Sequence, residues 1–520
     1  MTSPAQQLAR ALADGGAKHA FGVPGGGPNL DVVGALDAEG IRFVLAHAET
    51  AACIMASTYG WLTGSPTAAV VTRGPGAASA VNGAAQATLD RHPLLLVTDT
   101  VPSSARTRVP HQRIDQQAML TPTAKASIVL GKETSVDDMR AAAERAAAIP
   151  AGCVHLDYDA SAAGDPVQPV EAAVVSGDDT RVAQLIADAQ RPVVIVGVGA
   201  TGAAAEVRTA VERFGAPVLS TYQGVGIVDS EGPLHGGLFT NGASERPLLE
   251  QADLIILVGV DFVEPIPAAW AYAAPVVSLA ETAAVDPYLP IEVELVGDLA
   301  ARVEQLLVGA HAWTGAEGGA HRQGVRARLA EAGAPDVFGP VEAVQVVARE
   351  AHEQATVTVD AGAHFLAIMP FWPARSPQRL LISNGLATMG YAVPAAIGAA
   401  LARPDEPVIA LTGDGGLGMC LAELETIARL DLPITVVVYN DAALSLIEIK
   451  QREGHGGSGA VRYEPTDFAH VATGMGLGAA VAHDADSLAA ALRAAEQGPF
   501  VIDARIDPGA YPELIAITRG

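Results

Sequence analysis

The sequence predicts an α/β protein built from three doubly wound parallel-sheet domains. Short β-branched or aliphatic runs alternate with Ala-rich stretches of helix length, and this rhythm occurs in three separate blocks. Size agrees: 520 residues, 50% of them hydrophobic, exceed what one ordinary core fills.

The chain opens with TSPAQQLARALADGG, an amphipathic helix with Pro4 near its start rather than the basic and apolar regions of a secretion signal. In the first block HAFGVPG, IRFVLAHAE, PTAAVVTRG and PLLLVTDT are the strands, between residues 19 and 100. The middle block has RPVVIVGVG, APVLSTYQG, ADLIILVGV, APVVSLA and IEVELVGD, bounded by polar stretches near 165–178 and 311–338. TVTVDAG, RLLISNG, PVIALTGDG and PITVVVYN make the last block, between about 355 and 440. The domains expected are 1–165, 178–310 and 340–520.

A formal charge of −26, spread without acidic blocks or basic stripes, argues against nucleic acid and anionic membranes as partners. No apolar run approaches the ~20 residues that span a bilayer. Cys53, Cys153 and Cys420 are far apart and show no zinc spacing, which fits a reducing, cytoplasmic setting.

Gly197, Gly199 and Gly202 spell GxGxxG between a strand and a helix, yet APVLSTYQ, the next strand, lacks the acidic residue that holds a ribose hydroxyl. Tight strand-to-helix packing is the favoured reading there, and nucleotide binding the lesser one.

In the last block an aspartate stands between glycines where PVIAL runs out. The following GMCLAELETIARLDLP reads as one helix, with Leu417, Cys420, Leu421, Leu424, Ile427 and Ala428 on its apolar face and Glu423, Glu425 and Arg429 turned away. A right-handed crossover then puts Asp414 and Asn440 at one edge of the sheet. Hard oxygen donors beside glycine backbone suit Mg²⁺ that completes its shell with phosphate oxygens.

Gly413, Asp414 and Gly415, followed after 24 residues by Asn440, resemble the GDG…N signature of thiamine diphosphate (ThDP) enzymes, and the likeness covers nearly the whole chain. It resembles the acetolactate synthase and benzoylformate decarboxylase (2-oxo-acid decarboxylase) group. The resemblance makes the domains pyrimidine-binding, middle Rossmann-like and diphosphate-binding. It implies that Asp414, Asn440 and the carbonyl of Ala442 hold Mg²⁺, with Gly413, Gly415, Gly416, Ala443 and Leu444 around the diphosphate. Gly362, Ala363, His364 and Phe365, and Ser383 to Gly385 with Asn384 at the centre, resemble cofactor-lining segments. Met389 takes the place of the apolar wedge that bends the cofactor; its alternative reading is a core methionine.

Glu49 opens a helix in FVLAHAETAACIMASTYGWLTG. Alone it reads as a favourable charge at a helix start. Alanines and Met55 around it predict a buried carboxyl of raised pKa, and the resemblance implies the glutamate that shares a proton with N1′ of the aminopyrimidine, across a dimer interface. His111 and Gln112 fall where relatives carry a Phe-Gln or His-His pair, making His111 the candidate acid/base residue. Pro24, Gly25, Gly26 and Gly27 resemble the loop that faces substrate and cofactor.

Two departures from the synthase pattern leave the substrate open: Ile449 stands near the place of an acceptor-region tryptophan, and Arg73 in TRGPGA replaces a smaller residue. The implied activity is ThDP- and Mg²⁺-dependent decarboxylation of a small-molecule 2-oxo acid, ending in aldehyde release or carboligation. A homodimer is the implied minimal unit and a homotetramer the implied assembly. The alternatives are an FAD-containing acetolactate synthase-like carboligase, with FAD not favoured, and a non-catalytic homologue that binds or regulates.

Overall fold

A computed structural model describes residues 3–168, 170, 175–284, 288–452, 459–496 and 498–520. Three six-stranded, all-parallel sheets, each flanked by helices, confirm the α/β class.

The first sheet holds β1 (His19–Val23), β2 (Arg42–Leu45), β3 (Ala68–Val71), β4 (Leu94–Asp99), β5 (Ala126–Leu130) and β6 (Cys153–Tyr158), in the order β2-β1-β3-β4-β6-β5. The second holds β7 (Pro192–Val196), β8 (Val218–Ser220), β9 (His235–Leu238), β10 (Leu254–Val258), β11 (Val276–Ala280) and β12 (Ile291–Val296), in the order β12-β11-β10-β7-β8-β9. The third holds β13 (Thr356–Val359), β14 (Leu380–Ile382), β15 (Val408–Gly413), β16 (Ile434–Asn440), β17 (Gly478–Ala482) and β18 (Phe500–Arg505), in the order β14-β13-β15-β16-β18-β17. First and third sheets thus share one topology. In each, the first and third strands lie side by side while their chains leave in opposite directions, which opens a crevice between their C-terminal ends.

Sequence patterning leaves out β5, β6, β9, β17 and β18. β6 carries His155 and Asp157 inward, both fully buried and satisfied by Thr98 Oγ1 at 2.8 and 3.0 Å. β9 and β17 are short and rich in glycine or alanine, so neither shows the β-branched signature. The polar stretch 311–338 is not a bare linker, because it holds the helix Glu317–Ala330, whose Arg322 donates to the carbonyls of Gly232 and His235.

The opening helix runs Pro4–Asp14, capped by Ser3 and Gln6 in reciprocal hydrogen bonds. First and third units pack directly on each other through the helices Glu49–Thr63 and Ala392–Ala402. There a Cβ at Gly398 would lie 2.5 Å from the Met55 carbonyl oxygen, so only glycine allows this approach. Among the described residues no helix is long and apolar enough to cross a membrane.

Candidate active site

A cavity of about 510 Å³ opens at the crevice of the third sheet. It brings together Gly362, Ala363, His364, Phe365, Asn384, Met389, Gly413, Asp414, Gly415, Gly416, Ala443 and Leu444. Tyr222 and the segment 263–267 close it from the middle unit. Met389 is half-buried on the cavity wall, not in a core, and its Cε would stand 3.3 Å from a Cβ at Gly415. A Cβ there would also lie 2.8 Å from Leu444 Cδ2, so Gly415 keeps the floor open.

Asp414 is buried, which raises its carboxyl above the ordinary 3.8 in spite of four donors. Oδ1 accepts from Gly415 N and the Tyr463 hydroxyl, both at 2.7 Å. Oδ2 accepts from Ala442 N at 2.6 Å and Asp441 N at 3.2 Å. Asn440 Nδ2 donates to Asp503 Oδ1 (2.8 Å) and the Thr466 carbonyl (3.0 Å). Both partners are acceptors, so the amide nitrogen must face them and the amide oxygen must face the other way. Ala442 sits at φ +57°, a strained setting for a residue with a Cβ. Asp414, just past β15, thus holds the turn after β16 that carries the other two expected metal donors, Asn440 and the Ala442 carbonyl; that carbonyl accepts Tyr463 N at 3.2 Å, and neither Asn440 nor Ala442 lines the cavity.

Among the described residues lining the cavity, three buried polar atoms have no protein partner: His364 Nε2, the Tyr439 hydroxyl and Arg519 Nε. The rings of His364 and Tyr439 stack with centroids 5.6 Å apart. Burial depresses His364 to about 4, so at neutral pH it is an uncharged imidazole with an unused nitrogen. Hard oxygen donors, an open glycine floor and unsatisfied polar atoms are a fitting lining for a magnesium-held diphosphate.

Sequence reading missed three carboxyls that build this region. Asp360 ends β13, is fully buried, and accepts Gly390 N (3.1 Å), Tyr391 N (3.2 Å) and Thr412 Oγ1 (2.9 Å); burial lifts it to about 6. Asp441, raised to about 7 by burial, lines the cavity beside Asp414. Glu423 was expected to face away on one long helix. Instead the chain breaks at Leu421–Ala422 into the helices Asp414–Cys420 and Glu423–Leu430, and Glu423 is buried. Its Oε1 accepts from His47 N at 2.9 Å and Ala48 N at 3.1 Å, holding the loop from which Glu49 opens its helix.

Glu49 lies at the crevice of the first sheet, outside the Asp414 cavity. Within this chain it is half-buried, less enclosed than its alanine neighbours led us to expect. Its Oε1 stands 3.3 Å from a Cβ built at Gly76, and Thr72 Cγ2 3.0 Å from the same point. A Cβ at Gly25 would clash with Thr72 Oγ1 and one at Gly27 with Asp99 Oδ2, each at 2.5 Å, so these two glycines pack closely on the strand ends. Gly26 has open space around it. His111 is exposed on its loop, whereas Gln112, at φ +55°, packs on Gly74. Gln116, unnoticed in the sequence, is buried and anchors that loop, its Nε2 donating to the Asp99 carbonyl at 2.8 Å.

At two of its three glycines the GxGxxG turn is closely packed by the protein itself. A Cβ at Gly197 would lie 2.5 Å from Val260 Cα, and one at Gly199 2.9 Å from the Gly259 carbonyl oxygen. The buried Glu264 carboxyl accepts Val198 N at 3.1 Å, where a dinucleotide would place phosphate. The close-packing reading therefore describes Gly197 and Gly199, while Gly202 has open space around it.

Fold and crevices define an α/β protein with a carboxylate-bearing cavity at one sheet edge and a second carboxylate at the edge of a sister sheet. Residues 360–504 match the C-terminal TPP binding domain of thiamine pyrophosphate enzymes, residues 3–119 the N-terminal TPP binding domain, and residues 180–306 the central domain. The chain is 29% identical to acetolactate synthase of Bacillus subtilis (strain 168) over 535 residues, covering 97% of this chain and 93% of that protein. It is 31% identical over 531 residues to the catabolic acetolactate synthase of Raoultella terrigena, with 96% and 94% covered. A probable 2-ketoarginine decarboxylase of Pseudomonas aeruginosa is 29% identical over 464 residues, 85% of this chain and 82% of that protein. The chain belongs to the thiamine pyrophosphate (ThDP) enzyme family.

Proposed function

We propose that the protein decarboxylates a 2-oxo acid with ThDP and Mg²⁺, then releases the aldehyde or joins the acyl unit to an acceptor. The observation that carries this is the Asp414 carboxylate gripping the turn that bears Asn440 and Ala442, beside a cavity with unsatisfied polar atoms in its wall. The acetolactate synthase names of relatives support the carboligation outcome, and the 2-ketoarginine decarboxylase name supports release.

In this reading Asp414, Asn440 and the Ala442 carbonyl hold the metal, and Gly415, Gly416, Ala443 and Leu444 surround the diphosphate. Met389 supports the cofactor's bend. When bound, ThDP supplies the electron sink for the carbon that loses CO₂. Glu49 holds a proton at the ring nitrogen N1′, reached from a second copy of the chain, so the working unit is at least a homodimer and by our reading a homotetramer. His111 and Gln112 enter from the first-sheet loop as proton-transfer and orienting groups. Three free buried thiols fit a reducing compartment, and we place the enzyme in the cytoplasm.

The test is direct: load the purified protein with ThDP and Mg²⁺, offer a panel of 2-oxo acids, and follow CO₂ and acyloin together. Turnover of at least one acid is expected. Silence across the panel with cofactor bound would refute the reading.

A further inference from the structure

Arg73 sits two residues beyond β3, at the switch point of the first sheet, in the place topologically matched by Asp414 in the third. It adjoins Thr72, which meets Glu49 around Gly76, and Gly74, against which Gln112 packs. Its Nη1 donates to Asp99 Oδ2 at 3.1 Å and to the Thr100 carbonyl at 3.4 Å, and lies 3.6 Å from a Cβ built at Gly27 in the candidate substrate loop. The pair with Asp99 is single-ended. Asp99, fully buried, already accepts from Asn29 Nδ2 (2.9 Å) and Arg73's own backbone N–H (2.8 Å). Arg73 Nε is buried with no partner. An unfilled guanidinium fork is a bidentate receptor for a carboxylate.

Charge nearby points the same way. In a chain of net charge −26, the bordering segment 103–113 carries Arg106, Arg108 and Arg113, all exposed, and no acidic residue. Such an edge draws anions toward the crevice.

We infer that Arg73 selects a reactant carrying a carboxylate that survives the reaction, at the far end of the donor 2-oxo acid or on the acceptor. The carboxylate that departs as CO₂ is a poor candidate. A guanidinium there would stabilise the starting charge more than the transition state, in which that charge moves onto carbon.

This rests on the decarboxylase reading, and the test separates the two. In the donor arm, kcat/KM for CO₂ release is compared between 2-oxopentanedioate and 2-oxopentanoate, which differ by one terminal charge. In the acceptor arm, acyloin formation is compared between pyruvate and acetaldehyde as acceptors. Arg73→Gln should lower the preference for the carboxylated reactant in one arm by about ten- to a hundredfold. Arg73→Lys, a point charge without the fork, should fall between, and it carries the comparison if the Gln variant does not fold. Unchanged ratios in both arms, in an enzyme whose wild type turns over, overturn the role of Arg73 alone. A wild type that turns over no 2-oxo acid overturns the functional reading itself.

Discussion

The buried carboxylate of Asp90 accepts the backbone N–H of Gly385 at 2.6 Å, so the first unit grips a cavity-lining loop of the third. Leu386 N at 3.3 Å and Gln86 Nε2 at 3.0 Å share the same carboxylate. A Cβ at Gly385 would lie 2.2 Å from the Leu89 carbonyl oxygen, which leaves no alternative residue at this seam. Asp90→Ala strands these donors and should cost about 2–4 kcal/mol, read as a lower denaturation midpoint. The same variant should bind ThDP more weakly, since Asn384 and Ser383 lose their anchor.

Glu49 and Asp414 belong to different crevices of one chain, and in the proposed function they meet across two copies of it. Glu49→Gln should reduce turnover by about 10²–10⁴-fold with diphosphate binding retained. Asp414→Asn should reduce it through lost metal affinity. Mixing the two dead variants after dissociation should restore roughly a quarter of wild-type activity, because half of randomly formed dimers hold one intact site of two. No recovery in the mixture, with hybrids confirmed by mass, would place both residues in one chain's site.

Chelation gives the third expectation. Hard oxygen donors without thiol or imidazole predict loss of ThDP binding under EDTA, followed by calorimetry, and recovery with Mg²⁺. Asp414→Asn should need more than tenfold more Mg²⁺, about 1.4 kcal/mol or more.

Glu264 supplies a pH dependence. Burial raises its carboxyl from 4.5 to about 7. Between those values the folded protein keeps a proton that the unfolded chain has released. The stability it contributes is therefore present below pH 4.5 and is lost as pH rises through 7, by up to about 3 kcal/mol. Glu264→Gln copies the protonated form, with Nε2 facing the Thr221 hydroxyl that Oε1 meets at 2.6 Å. Melting curves of this variant should change less between pH 4.5 and 7 than those of the parent.

What the sequence disclosed follows from what patterning can carry. Asp414 and Asn440 were legible because a strand, a helix and a second strand of ordinary signature fix where their ends fall. Asp90, Asp360, Glu423 and Gln116 were not, since each is a buried polar residue whose partners lie on other elements, and spacing alone gives polar positions to solvent. Glu423 shows this most plainly: helical periodicity put it outside, while a two-residue break in the helix and the unpaired amides of His47 and Ala48 brought it in. Gly197 and Gly199 of the middle unit had the reverse character, belonging to a motif but packed against the chain itself.

The seams at Asp90 and Glu423 join residues 295 and 376 positions apart, bypassing the middle unit altogether. A chain emerging from the ribosome makes Asp90 long before Gly385, and His47 long before Glu423. Until the last quarter is synthesised, the first unit must leave that carboxylate and those amides hydrated. Contacts of such long range slow folding and prolong the exposure of apolar surface, so the interval before the C-terminal unit docks is when the nascent protein is most open to aggregation.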